Sequence, residues 1–241
     1  MKPYVIKVEI CRPPDRDDYP FSIASIRNTA EFNLHEQVTF LIGDNGSGKS
    51  TLLEAIALRL GLNQEGGNRN TRFKTIDDVS QLATWLRIVK STRRYEDAFF
   101  FRAETMYNLY SAAIKDNEEN PGLGWIIHGW KELHNRSHGE GHIDVIARKM
   151  SNGLYIFDEP ESALSVEKQL EFLVTLHDLI GNGSQVIIAT HSPIILSYPH
   201  SIIYDLTAEG VMPIQYEAAK PFRMMKSFIN NHSRYISELL K

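Results

Sequence analysis

The 241-residue sequence holds a single cysteine, Cys11, so an intrachain disulfide is excluded. It has no apolar run near the roughly 20 residues that a helix needs to cross a bilayer. Its start, Met1-Lys2-Pro3-Tyr4-Val5-Ile6-Lys7, puts no apolar core behind the charge, as a secretory signal would. These features suit a cytoplasmic protein, and a role at a membrane would require a partner to supply the membrane part. An excess of charge is also missing. Twenty-six basic residues face 30 acidic ones, a formal net charge of −4. That argues against a strong bulk attraction to nucleic acid or to an anionic membrane. A local cluster, Arg87, Lys90, Arg93 and Arg94, is where nucleic acid could be touched, although a solvated helix end is the plainer reading. No internal repeat, long coiled coil, nuclease motif or DNA-binding module is present.

What is there is the composition of an ordinary globular domain, 42% hydrophobic and 23% charged. Residues 4–12 alternate as a strand does. Residues 37–42 (QVTFLI), 98–102 (AFFFR), 154–157, 185–190 and 201–206 are short apolar runs that suit buried strands. Helical spacing covers 49–60, where Leu52, Leu53, Ile56, Ala57 and Leu60 share a face, and also 166–180, which Gly181 and Gly183 end. Asp77 could cap a helix over 79–89. Residues 63–70 and 115–124 read as loops. Strands alternating with helices predict an α/β fold with a largely parallel, covered sheet. The middle, about residues 75–150, is more helical and is the candidate lid.

The strongest motif is Gly43-Asp44-Asn45-Gly46-Ser47-Gly48-Lys49-Ser50, followed by Thr51. It fits G-x-x-x-x-G-K-[ST] without a mismatch, with an apolar strand before it and an amphipathic helix after it. The glycines let backbone N–H groups turn inward around phosphate oxygens, and the helix N-terminus adds partial positive charge. Lys49 is placed to bridge the β- and γ-phosphates, and Ser50 to ligate Mg²⁺. A second motif, Leu154-Tyr155-Ile156-Phe157-Asp158-Glu159, ends an apolar strand in two carboxylates. Asp158 suits the magnesium shell, and Glu159 suits general-base work on an attacking water. His191 ends the run from Gln185. Ligands of open α/β sheets bind beyond the carboxyl ends of the strands, so Gly43, Asp158 and His191 should converge.

With these motifs in place, the sequence resembles the ABC ATPase superfamily. Ser137-His138-Gly139-Glu140-Gly141 looks like its S-G-G-Q signature, 21 residues before Asp158. Glu161-Ser162-Ala163-Leu164-Ser165 looks like its D-loop, and His191 matches its switch histidine. Two positions depart from the pattern: His138 stands for a glycine and Ser165 for an aspartate. The closer resemblance is to small stand-alone bacterial AAA/ABC-type ATPases, through Gly43 to Ser50, Arg102-Ala103-Glu104 and Thr190-His191-Ser192-Pro193. That wider group looks like the ATPases of chromosome maintenance, DNA repair and phage defence.

The resemblance implies a single P-loop ATPase domain over residues 1–241. Its mostly parallel core would carry an antiparallel N-terminal part and a helical lid over about 75–150. It implies ATP and Mg²⁺ as cofactors and hydrolysis to ADP and phosphate. Lys49, Glu159 and His191 would be catalytic, and Ser50, Asp158 and Glu104 would lie around the metal, with Glu104 equally readable as a surface carboxylate. A homodimer would close on two ATP molecules, with Ser137, Gly139 and Glu140 of one chain facing the phosphate loop of the other, and would drive a protein partner. The alternatives are the nucleotide-binding subunit of a transporter and a low-turnover scaffold. An adenine-stacking aromatic is expected ahead of the loop, Tyr19 or Phe21. His134, His138 and His142 have the spacing of a metal face but lack a completing ligand. Trp125, His128 and Trp130 read as lid packing.

Overall fold

The computed structural model describes residues 2–13, 15–64, 66–67, 80–103 and 152–241. Its centre is a six-stranded sheet of order β5-β6-β7-β3-β8-β9. The strands are β3 (Val38–Ile42), β5 (Asp97–Arg102), β6 (Gly153–Asp158), β7 (Gln185–Ala189), β8 (Ser201–Thr207) and β9 (Gly210–Ile214). All neighbours pair in parallel except β8 and β9, which form an antiparallel hairpin. A smaller antiparallel sheet, order β2-β1-β4, joins β1 (Val5–Ile10), β2 (Glu31–Asn33) and β4 (Leu86–Lys90). The α/β class and the antiparallel N-terminal part are both as expected.

The apolar runs lack alternation because the large sheet is covered on both faces. In β6, Leu154 and Ile156 enter one core with Tyr4, with Val5 and Val8 of the small sheet and with Leu52, Leu53 and Ile56 of helix α2 (Lys49–Arg59). Tyr155 and Phe157 enter the other core, with Phe172 and Leu176 of helix α3 (Val166–Gly181). Each fully buried side chain of this kind contributes about 1.5–3 kcal/mol. Ser165, which departs from the aspartate of the D-loop pattern, has a local role: it is the N-cap of α3, its Oγ accepting from the Lys168 N–H at 3.4 Å.

The helix expected over 79–89 is not formed. Gln81–Trp85 is a short 3-10 turn, and Leu86–Lys90 is β4, paired with β1 from Leu86 opposite Ile10 to Lys90 opposite Val5. Leu86 is buried there and Ile88 packs against the same core, a period of two that the helical reading missed. The lid expected over 75–150 lies largely outside the described residues. The part that is described, 80–103, belongs to the two sheets.

A short helix, α1 (Ala24–Arg27), the edge strand β9 and a terminal helix, α4 (Lys220–Leu239), complete the described fold. β9 carries Pro213, which the open edge of the sheet tolerates. Helix α4 buries no residue of its own, and its Phe222 packs on Tyr216 at its base with ring centroids 4.6 Å apart. Among the described residues, no helix is long and apolar enough to cross a membrane.

Candidate nucleotide site

Strand β3 is buried along its length and delivers the chain to Gly43. There φ is +147°, and a β-carbon would stand 2.9 Å from the Leu206 carbonyl oxygen, so the turn requires glycine. Gly48, with φ +96°, is the N-cap of α2, and no side chain caps that end. The first-turn N–H groups of α2 have no intrahelical acceptor, an end whose chemistry suits an anion.

Lys49 is buried, and its ammonium donates to the carbonyls of Gly43 at 2.9 Å and Asp44 at 3.2 Å. Burial pushes its pKa below the ordinary lysine value, against the opposing pull of the Glu159 and Asp158 carboxylates. Ser50 Oγ donates to Asp158 Oδ1 at 3.1 Å, joining the phosphate loop to the end of β6. Arg102 stands opposite Asp158 in the β5–β6 register, with its Nε 3.7 Å from Asp158 Oδ2. The same guanidinium donates to Glu54 on α2 at 3.0 Å.

Glu159 has a left-handed backbone, φ +49° and ψ 55°, a conformation that costs a non-glycine residue about 1–3 kcal/mol. Its N–H continues the sheet by donating to Ala189 O at 2.9 Å. Its carboxylate lies 3.6 Å from His191 Nε2. That imidazole nitrogen is shielded from solvent and has no hydrogen-bond partner among the described residues. Asp158, Glu159 and His191 therefore converge on the phosphate loop. Glu159 borders a cleft of about 550 Å³ whose lining includes Tyr19, Gly46, Lys49, Ser50 and Thr51, and His191 lines a neighbouring cavity of about 760 Å³ with Gly43, Asp44 and Lys220.

The two adenine candidates separate. Tyr19 is 58% exposed at the cleft, its hydroxyl 3.1 Å from Thr51 Oγ1. Phe21 is fully buried in contact with Trp85, so the expectation that it stacks on a base is corrected: it is a core residue. The basic cluster is partly accounted for as well. Arg87 pairs with Glu9. Arg93 lies over the Tyr4 ring at 4.1 Å and donates to Gly183 O at 2.8 Å, so it ties the small sheet to the end of α3. Glu104, Ser137, Gly139 and Glu140 lie outside the described residues, as do His134, His138, His142, Trp125, His128 and Trp130.

A family model described as an AAA domain matches residues 22–173, which takes in the phosphate loop, Asp158, Glu159 and the first half of α3. The chain belongs to the AAA domain family. This AAA domain is also 25% identical over 203 residues to the macrolide export ATP-binding/permease protein MacB of Burkholderia lata. That match takes in 74% of the chain and spans 28% of the length of MacB. Among solved structures it is similar to cbiO1 of Clostridium perfringens, part of the ABC transporter complex cbiONQ. There the TM-score is 0.52 with 16% identity, over 99% of each chain. The fold is that of the ABC-type P-loop ATPases.

Three residues at the site were not assigned these contacts from the sequence. Arg102 was noted only as part of a motif, and its contact with Asp158 follows from strand register. Lys220, at the start of α4, pairs with Asp44 at 2.5 Å across 176 residues. That contact holds the Asp44 pKa below the usual carboxylate range. Glu161 was read as part of a loop motif, yet its carboxylate turns inward to the backbone of His191. No spacing rule links any of these pairs.

Proposed function

We propose that this AAA domain binds Mg·ATP over the start of α2 and hydrolyses it to ADP and phosphate, working as a nucleotide-driven switch. The observation that carries the reading is the convergence of Ser50, Asp158, Glu159 and His191 beside Lys49 at the carboxyl ends of β3, β6 and β7. Two oxygen donors 3.1 Å apart, Ser50 Oγ and Asp158 Oδ1, suit a hard cation, and they would hold Mg²⁺. When bound, Mg²⁺ neutralises charge on the phosphate oxygens.

The chain's own residues do the rest. The amides of the loop and of the first turn of α2 cradle the phosphates, and Lys49 exchanges its carbonyl partners for phosphate oxygens. Glu159 takes a proton from water as the water oxygen attacks the γ-phosphorus, and ADP leaves. His191 Nε2 meets the γ-phosphate beside that carboxylate. Positioning and electrostatics supply most of the acceleration. Tyr19 is the residue placed to stack on the adenine.

The two-fold closure implied by the ABC resemblance puts Ser137, Gly139 and Glu140 of a partner subunit over the same γ-phosphate, giving a homodimer with two equal sites. The similarity to MacB favours a second reading, in which the chain is the nucleotide-binding subunit of a transporter. Glu159→Gln traps a bound state in either case. A pull-down from the host with that variant and ATP separates a permease partner from the enzymes of genome maintenance or phage defence.

Turnover tests the chemistry. Glu159→Gln and His191→Ala are each expected to lower the rate at saturating Mg·ATP by about tenfold or more. Wild-type rates in both variants would overturn the assigned roles.

A further inference from the structure

Glu161 is two residues past the carboxylate that borders His191, on the short turn Pro160–Ala163. Its Oε1 accepts the His191 N–H at 2.6 Å and the Ser192 N–H at 3.2 Å. Its Oε2 is also shielded from solvent, with no hydrogen-bond partner among the described residues. The surrounding bonds run the same way. Ser192 Oγ donates to Gln169 Oε1 at 2.6 Å, and Gln169 Nε2 donates to Leu164 O at 3.1 Å. The segment after Glu159 and the segment after β7 are thus fastened together at the backbone of the histidine. The side chain of that same histidine meets Glu159 at 3.6 Å. Two backbone amides on one carboxylate oxygen are charge-assisted bonds, roughly twice as strong as neutral ones.

We propose that Glu161 is a positioning residue for the switch histidine. By holding the main chain of His191 and Ser192, it fixes the imidazole against Glu159 and over the γ-phosphate. Any displacement of the 161–165 turn is passed to the histidine through the same two bonds. The proposal rests on the hydrolytic reading above for its kinetic consequence, but not for the contact itself. Glutamine keeps a carbonyl acceptor at the same reach and loses only the charge. Alanine removes the acceptor and leaves two amides facing a void.

The test compares Glu161→Ala and Glu161→Gln with wild type. Glu161→Ala is expected to lower kcat about tenfold or more, the scale of losing a well-placed acid–base group. Its KM for ATP should stay within about twofold, because Lys49 and the loop are untouched. Glu161→Gln should recover most of the rate. If Glu161 acts through His191, the double variant Glu161→Ala/His191→Ala should be no slower than His191→Ala alone, since coupled residues are not additive.

An NMR measurement is independent of turnover. The His191 ring resonances, assigned by their loss in His191→Ala, should move in Glu161→Ala and return in Glu161→Gln. Wild-type kcat in Glu161→Ala, additive losses in the double variant, or ring resonances that do not move would each overturn the proposal. A wild-type protein without ATP turnover would sink the hydrolytic reading and leave the ring resonances to decide the positioning role.

Discussion

Ser50 Oγ and Asp158 Oδ1 lie 3.1 Å apart although 108 residues separate them in the chain. The pair joins the first turn of α2 to the end of β6, and under the proposed function its two oxygens would hold Mg²⁺. Asp158→Asn is expected to weaken Mg·ATP binding by about 10–100-fold. ATP in excess chelator should bind as well as to wild type, or better, because one negative charge is gone. Calorimetry with and without Mg²⁺ decides it, and an equal loss in both conditions would mean that Asp158 supports the loop rather than the metal.

Lys49 is buried with its pKa held below the ordinary value of 10.5, mainly by desolvation. The folded state therefore binds fewer protons at this group than the unfolded state does. The cost of burying the charge is present in full at neutral pH and fades as pH rises through the lowered pKa towards the unfolded one. Lys49→Met should have a Tm at pH 7 equal to or above that of wild type, with the difference closing at high pH, and should lose ATP binding. A variant that unfolds early, or one that binds ATP with wild-type affinity, would refute this account.

Gly43 and Gly46 both have positive φ, +147° and +78°, but only Gly43 is crowded. A β-carbon there meets the Leu206 carbonyl oxygen at 2.9 Å, whereas at Gly46 nothing lies within 4 Å. Gly43→Ala should cost more stability than Gly46→Ala, which carries only the left-handed penalty of about 1–2 kcal/mol. Urea denaturation measures both. A Gly46→Ala protein less stable than Gly43→Ala would contradict the loop geometry.

The dimer prediction rests on one chain carrying both an intact phosphate loop and the Ser137-x-Gly139 signature. Glu159→Gln with Mg·ATP should run as a dimer in light scattering, and ADP should weaken it, because ligand shared across the interface stabilises the assembly by mass action. Ser137→Arg should still bind ATP as a monomer but should neither dimerise nor turn over. A dimer indifferent to nucleotide, or full activity in Ser137→Arg, would reject the closed two-site arrangement.

The sequence by itself determined the phosphate loop, the two carboxylates at the end of β6 and the histidine after β7. Each is a short motif at the end of an apolar run, and such ends converge in a parallel sheet whatever the rest of the chain does. It also determined the class of fold, because continuous apolar strands between amphipathic helices can be buried only in a covered sheet. Contacts that join distant parts of the chain were decided by tertiary structure. The stretch 86–90 became a strand because β1 offered it an edge and a core face, which overrode the helical spacing expected through 79–89. Tyr19 and Phe21, two residues apart, parted to solvent and to core through packing against Trp85 that no local pattern encodes. The grip of Glu161 on the His191 amide and the contact of Arg102 with Asp158 depend on strand register and turn direction, which only the folded chain sets.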